Sequence, residues 1–348
     1  SNPVIVEKTT ASLAEKTPVY WQKMADGMSQ ALIKHFWGAN FKGYENRFYF
    51  NYGSDLSNMT TNHYWPQAHA MDVMVDAYMR TGSKQYLNIY PLWWEGAPKF
   101  NFAGREEDPW WVWSTWGPED EAPWFGGITW KTDVAKSKNA CSNGPAALIA
   151  ARLYNFYDAM GKKAGKPKQA YLNEAIKIYT WEKNNLFDRQ TGAVYDSMNG
   201  EGKITKWVFS YNSGTFLGAA HELYKITGDK QYLADAVKAA NFVIDHLSTN
   251  EGVLSDAEGG DGGLFHGIFF RYFVKLINDP ALDSANYNKF RDYITHCATV
   301  MAEQGVNQKT MLYSGRWRKA PADDESVGLT SHLTGCMLME AMCVLKHR

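Results

Sequence analysis

Apolar residues recur at helical spacing along most of the chain. Over 20–37 they fall at Trp21, Met24, Met28, Leu32, Ile33 and Phe36, the pattern of one helix face. Over 65–81 they fall at Ala68, Met71, Val75 and Tyr78, ahead of Gly82. Over 143–160 they fall at Ala146, Leu148, Ile149, Leu153, Phe156 and Tyr157, ahead of Gly161. Stretches 213–227, 263–277 and 330–345 continue the theme. All six carry small and apolar residues around much of their circumference, which predicts helices buried on several sides. Amphipathic stretches at 85–94, 168–186, 231–247 and 284–303 lie between them. The expected fold class is all-α.

A short phrase marks the junctions. Arg80-Thr81-Gly82-Ser83-Lys84-Gln85-Tyr86-Leu87 resembles Ile226-Thr227-Gly228-Asp229-Lys230-Gln231-Tyr232-Leu233, and Gln169-Ala170-Tyr171-Leu172 is a fainter copy. It encodes a glycine at a helix C-terminus, a polar turn and a Tyr-Leu pair that docks the next helix. Repeated helical hairpins of this kind describe a single α/α toroid over 1–348, closed by pairing 20–37 with the C-terminal helix. The interval between the first two Tyr-Leu pairs is long yet holds only a tryptophan-rich stretch broken by Pro109, Pro118 and Pro123. One hairpin is therefore expected to be shortened, either by loss of a helix or by a segment missing near 101–117.

Composition narrows the function classes. The net charge is −1 and basic residues are not clustered, so neither nucleic acid nor an anionic membrane surface is an expected partner. No apolar run reaches the roughly 20 residues that span a bilayer. Cys141, Cys297, Cys336 and Cys343 lack metal-binding spacing and read as small core residues. His63 and His69 do not share a helix face, which excludes a zinc pair, and no cofactor is expected. The chain opens Ser1-Asn2-Pro3, which fits a removed leader or a cloning scar and leaves export open. A monomer is expected.

The 14 Trp, 20 Tyr and 17 Phe change the picture most. Residues 105–131 hold Trp110, Trp111, Trp113, Trp116, Trp124 and Trp130 beside Glu106, Glu107, Asp108, Glu119, Asp120 and Glu121. Aromatic faces stack on the apolar C–H faces of sugars, and paired carboxyls can act as acid and nucleophile. A buried aromatic cluster with a solvated acidic turn fits the same stretch. Three helix starts are polar and aromatic together. Phe125 to Lys131 leads to Asn139, Ser142 and Asn143, where Ser142 or Asn143 would cap a helix with Pro145 in its first turn. Trp207 to Thr215 contains Tyr211 and Asn212, with Ser210 or Asn212 as the cap. Asp261 to Phe269 contains Phe265, with Asp261 as the cap. Gln67 and His69 lie on the second helix, with Asp72 and Asp76 after them; a lone helical histidine equally suits a hydrogen-bonded core position.

The stretches Trp65-Pro66-Gln67-Ala68-His69-Ala70-Met71-Asp72, Gly126-Gly127-Ile128-Thr129-Trp130-Lys131, Lys138-Asn139-Ala140-Cys141-Ser142-Asn143-Gly144, Tyr211-Asn212-Ser213-Gly214-Thr215-Phe216 and Asp261-Gly262-Gly263-Leu264-Phe265 together resemble glycoside hydrolase family 76, the endo-α-1,6-mannanases. The resemblance runs from about residue 60 to the end. It implies an (α/α)6 barrel, retaining chemistry, an α-mannan substrate and a secreted, periplasmic or cell-surface location. The family carries adjacent aspartates at the start of an inner helix, one the nucleophile and one the acid/base. Here the sequence departs: Asp323-Asp324 is adjacent but lies in a polar loop near Pro321, and the nearest match in position is Glu107-Asp108-Pro109-Trp110-Trp111. Asp108 and Glu107 are the catalytic candidates. Gln67, His69, Trp124, Trp130, Asn139, Asn143, Tyr211, Asn212, Asp261 and Phe265 are the sugar-binding candidates. A mannan-binding relative that lost the catalytic pair is the alternative, and another toroid enzyme such as a sugar lyase or epimerase is a third.

Overall fold

Helix α1 (Pro18–Phe36) starts where local chemistry favours it. Thr17 is extended and accepts a hydrogen bond from the Tyr20 amide at 3.2 Å, while Pro18 occupies a first-turn position that needs no N–H donor. The computed structural model describes residues 15–38, 46–49, 51–52, 64–96, 126–130, 137–161 and 165–348. The helices that follow are α2 (Tyr64–Thr81), α3 (Lys84–Leu87), α4 (Ile89–Gly96), α5 (Ala140–Asn155), α6 (Tyr157–Met160), α7 (Lys168–Asn185), α8 (Ser210–Thr227), α9 (Lys230–His246), α10 (Gly262–Ile277), α11 (Ser284–Val300) and α12 (Leu329–Val344). The expectation of a mostly helical chain holds. The candidate shortened hairpin lies outside the described residues.

The repeated junction is real at the level of individual bonds. Thr81 Oγ1 donates to the Ala77 carbonyl at 2.7 Å and accepts from the Ser83 amide at 3.1 Å. Thr227 Oγ1 donates to the Leu223 carbonyl at 2.8 Å and accepts from the Asp229 amide at 3.1 Å. Between them Gly82 and Gly228 adopt φ of 69° and 73°, left-handed values that favour glycine.

The chain divides into two compact units. The first takes Ser1–Arg105, Ser248–Val274 and Asp283–Arg348; the second takes Glu106–Leu247 and Lys275–Leu282. In the first unit α12 packs on α1, the pairing expected from sequence. His332 stacks on Phe36 at 5.5 Å between centroids. Its Nδ1 accepts from the Tyr313 amide at 3.3 Å, so Nε2 carries the proton that it donates to the Met28 carbonyl at 2.9 Å. Helix α10 approaches α12 closely because Gly263 and Gly267 face it. A Cβ on Gly267 would lie 2.7 Å from Thr334 Cα, and Thr334 Oγ1 donates to the Gly263 carbonyl at 2.6 Å. A pair of two-residue strands, β1 (Asn51–Tyr52) and β5 (Val327–Gly328), runs antiparallel.

In the second unit α5 packs on both α7 and α8, and α8 packs on α9. Residues 210–223 of α8 are all buried, as its apolar circumference requires. Phe216 stacks between Phe187 at 4.5 Å and Tyr179 at 5.1 Å. The sequence reading missed a three-stranded antiparallel sheet of β2 (Lys138–Asn139), β3 (Tyr195–Met198) and β4 (Ile204–Val208), in the order β2-β3-β4.

Several boundaries differ from expectation, among them the stretch 143–160, which is broken at Phe156 between α5 and α6. The stretch 85–94 is two short helices with Asn88 between them. A continuous helix would need an N–H at Pro91 to bond the Leu87 carbonyl, and proline has none. Helix α5 begins at Ala140 with Asn139 as its cap residue, so Pro145 lies inside the helix rather than in its first turn. Helix α8 begins at Ser210 after Phe209, so neither Ser210 nor Asn212 is the cap residue.

Candidate functional site

In the first unit the starts of α2 and α10 meet. Trp65 donates its indole N–H to Asp261 Oδ1 at 3.0 Å, and its ring lies 6.4 Å from Phe265 and 5.6 Å, edge-on, from His69. His69 Nδ1 donates to Asp72 Oδ2 at 2.9 Å. Arg271 from α10 bridges Asp72 at 2.8 Å and Asp76 at 3.1 Å. Burial alone would raise the Asp72 carboxyl, but the Arg271 guanidinium and His69 outweigh it and hold the group well below the usual carboxylate range. Asp72 therefore stays ionised and fixes the His69 ring. Sequence spacing showed the two aspartates; their partner Arg271 was missed, although an arginine inside the apolar run Ile268-Phe269-Phe270-Arg271-Tyr272-Phe273 was the available signal. Gln67 points elsewhere. Its Oε1 accepts from the Phe48 amide at 3.0 Å and the Trp93 indole at 3.2 Å, and its Nε2 donates to the Phe48 carbonyl at 2.6 Å.

In the second unit a buried asparagine ties the Gly126–Trp130 turn to α5. Asn143 Oδ1 accepts from the Ile128 amide at 2.7 Å, and Nδ2 donates to the carbonyls of Ile128 at 3.1 Å and Asn139 at 2.9 Å. Gly127 allows the approach, since a Cβ there would lie 2.7 Å from the Trp181 ring. Trp130 emerges at the surface, 38% exposed, with its backbone N–H bonded to the Ser137 carbonyl at 2.8 Å. Asn139 is buried and accepts from Ser137 Oγ at 2.7 Å. Lys138, fully buried, sets its ammonium 5.5 Å from the Trp181 ring centroid, and burial pushes its pKa down to about 8. Tyr211 and Asn212 lie buried in the first turn of α8, with Asn212 Nδ2 lacking a hydrogen-bond partner among the described residues.

Glu107, Asp108 and Trp124 lie outside the described residues. Among the described residues no group of histidine, cysteine and acidic side chains is placed to hold a metal.

The model of glycosyl hydrolase family 76 matches residues 110–348. Among solved structures, an inactive α-1,6-mannanase GH76A variant of Salegentibacter sp. HEL1_6, with two consecutive aspartates changed to asparagine and α-1,6-mannotriose bound, is 30% identical. It aligns with a TM-score of 0.79 over 94% of this chain and 100% of that one. A family 76 mannosidase of Bacteroides thetaiotaomicron, 18% identical with a TM-score of 0.67 over 94% of this chain and 98% of that one, shares the fold. The fold class is the (α/α)6 toroid. The mannan endo-1,6-alpha-mannosidase DCW1 of Saccharomyces cerevisiae is 33% identical over 112 residues, which span 30% of this chain and 23% of that protein. The family match covers more than half of the sequence, and the chain belongs to glycosyl hydrolase family 76.

Proposed function

We propose that this chain cleaves α-1,6-linked mannan internally, by a retaining route. The observation that carries the reading is its likeness, along nearly its whole length, to an α-1,6-mannanase with mannotriose bound. Retention needs two carboxyls roughly 5 Å apart, one to attack the anomeric carbon and one to protonate the leaving oxygen and then activate water. Glu107 and Asp108 are the pair we assign. His69, Asp261 and Phe265 of the first unit, and Trp124, Trp130, Asn139, Tyr211 and Asn212 of the second, are each assigned to sugar binding. The side-chain amides of Gln67 and Asn143 are already engaged within the protein, so for these two we propose a supporting role in their own units rather than direct sugar contact. We assign the protein to the cell exterior, where such a polymer would be met, and read it as one catalytic domain.

Purified protein mixed with α-1,6-mannan should release reducing ends. Asp108→Asn should lower that rate by about a thousandfold while mannan binding persists; undiminished turnover would remove Asp108 from the mechanism. The binding-only reading has one observation in its favour. The one adjacent aspartate pair in the sequence, Asp323-Asp324, lies in an exposed loop where Asp323 accepts from Asn307 at 2.8 Å and faces Lys309 at 3.2 Å. Wild-type protein that binds mannan and releases no ends would establish that reading instead.

A further inference from the structure

The hairpin β3–β4 is irregular in an informative way. Tyr195 pairs with Val208, and Ser197 pairs with Thr205. Between these pairs β3 contributes one residue, Asp196, and β4 contributes two, Lys206 and Trp207. This is a β-bulge, a device that redirects a side chain and is common beside functional sites. Successive residues of a regular strand point to opposite faces, yet Lys206 and Trp207 are both exposed. Trp207 is 65% exposed, the highest value of any tryptophan among the described residues. Its ring is nevertheless anchored, meeting Phe209 edge-on at 6.4 Å. Lys206 sets its ammonium 5.5 Å from the Tyr195 ring centroid, and Asp196 accepts from Ser197 Oγ at 2.9 Å. An open indole thus stands on the same hairpin as an ammonium and a carboxylate.

The hairpin is continuous in the chain with the second unit's residues assigned to sugar binding. Strand β4 ends at Val208, Phe209 follows, and α8 then begins with Tyr211 and Asn212 in its first turn. Strand β2, on the other side of β3, runs straight into α5 and is bridged to Thr129 beside Trp130. Leaving a large aromatic ring in water forfeits the gain of burying it. A protein partner would ask for a broader apolar patch than one ring between charged groups, whereas a sugar ring offers an apolar face with hydroxyls at its edge.

We propose that Trp207 is a stacking platform for a mannose unit of an extended α-mannan chain, a subsite beyond the units that flank the cleaved bond. Lys206 and Asp196 bond the hydroxyls at the edge of that unit. The inference rests on the mannan reading and extends it to how the enzyme selects long chains over short ones.

The test compares the affinity of the full chain for α-1,6-mannan, by electrophoresis in mannan-containing gels, with its affinity for α-1,6-mannotriose, by calorimetry. Trp207→Ala should weaken mannan binding about tenfold and leave mannotriose within twofold, and Trp207→Phe should restore most of the loss. Unchanged mannan affinity in Trp207→Ala overturns the subsite alone, provided that wild-type protein binds both ligands. Equal weakening of both ligands also overturns it, because Trp207 would then serve the central site or the fold. Wild-type protein that binds neither ligand overturns the mannan reading together with the subsite.

Discussion

Both amide hydrogens and the carbonyl of Asn143 are engaged by backbone groups in a fully buried position. Asn143→Ala would leave the Ile128 amide and carbonyl without partners, and each buried unsatisfied group costs about 1–3 kcal/mol. Stability should fall by about 3 kcal/mol in denaturant titration, while mannan affinity per folded molecule stays near wild type. A variant of undiminished stability that no longer binds mannan would make Asn143 a sugar contact instead. The sequence singled the residue out as a helix cap or a sugar contact; in the fold its side chain bonds the Ile128 turn. An asparagine near a helix start suggests a cap; that its partner is a turn fifteen residues upstream is a property of the folded chain. The same limit hid Trp207, because the extra residue that turns it outward exists only relative to β3.

At the scale of elements, the long helices were legible because each repeats its apolar spacing over several turns, and α10 shows what that spacing leaves out. Gly263 and Gly267 look like weak helix formers in the sequence. In the fold they allow α10 to lie against the Thr330–Thr334 turn of α12. Gly267→Ala would press a methyl group against the Thr334 backbone, and the cost of such overpacking is about 1–3 kcal/mol. A loss of about 2 kcal/mol is expected in thermal or denaturant unfolding. A loss no larger than the few tenths that an exposed helical position shows would mean that α10 and α12 separate freely. The strands escaped notice for a simpler reason. They are two to five residues long, and β2 and β3 lie in segments whose Gly, Asn and Asp content reads as loop.

On the scale of the whole molecule, two buried groups should give its units opposite responses to acid. His332, in the first unit, is fully buried and neutral, and burial pushes its pKa down to about 4. In the unfolded chain it would titrate near 6.5, so the unfolded state takes up a proton first as pH falls. The stability that His332 contributes is complete above pH 6.5 and is lost progressively down to about pH 4. Glu182, in the second unit, is also fully buried, and neither of its carboxyl oxygens has a hydrogen-bond partner among the described residues. Burial raises its pKa well above the ordinary carboxylate value, so here the unfolded state releases a proton first as pH rises past about 4.5, and stability falls from there upward. Glu340 of the first unit is raised by burial too, though Arg80 at 2.8 Å opposes the shift. Single variants isolate the two groups from that background. Glu182→Met, which removes the unsatisfied carboxyl at similar volume, should stabilise the protein at pH 7 by about 2 kcal/mol, and the gain should shrink toward pH 4.5. His332→Gln keeps one donor and one acceptor, so its stability relative to wild type should improve as pH falls from 6.5 to 4. Denaturant titrations of both variants at intervals across that range read the two slopes directly; differences from wild type that do not vary with pH would show that neither group changes its protonation on unfolding.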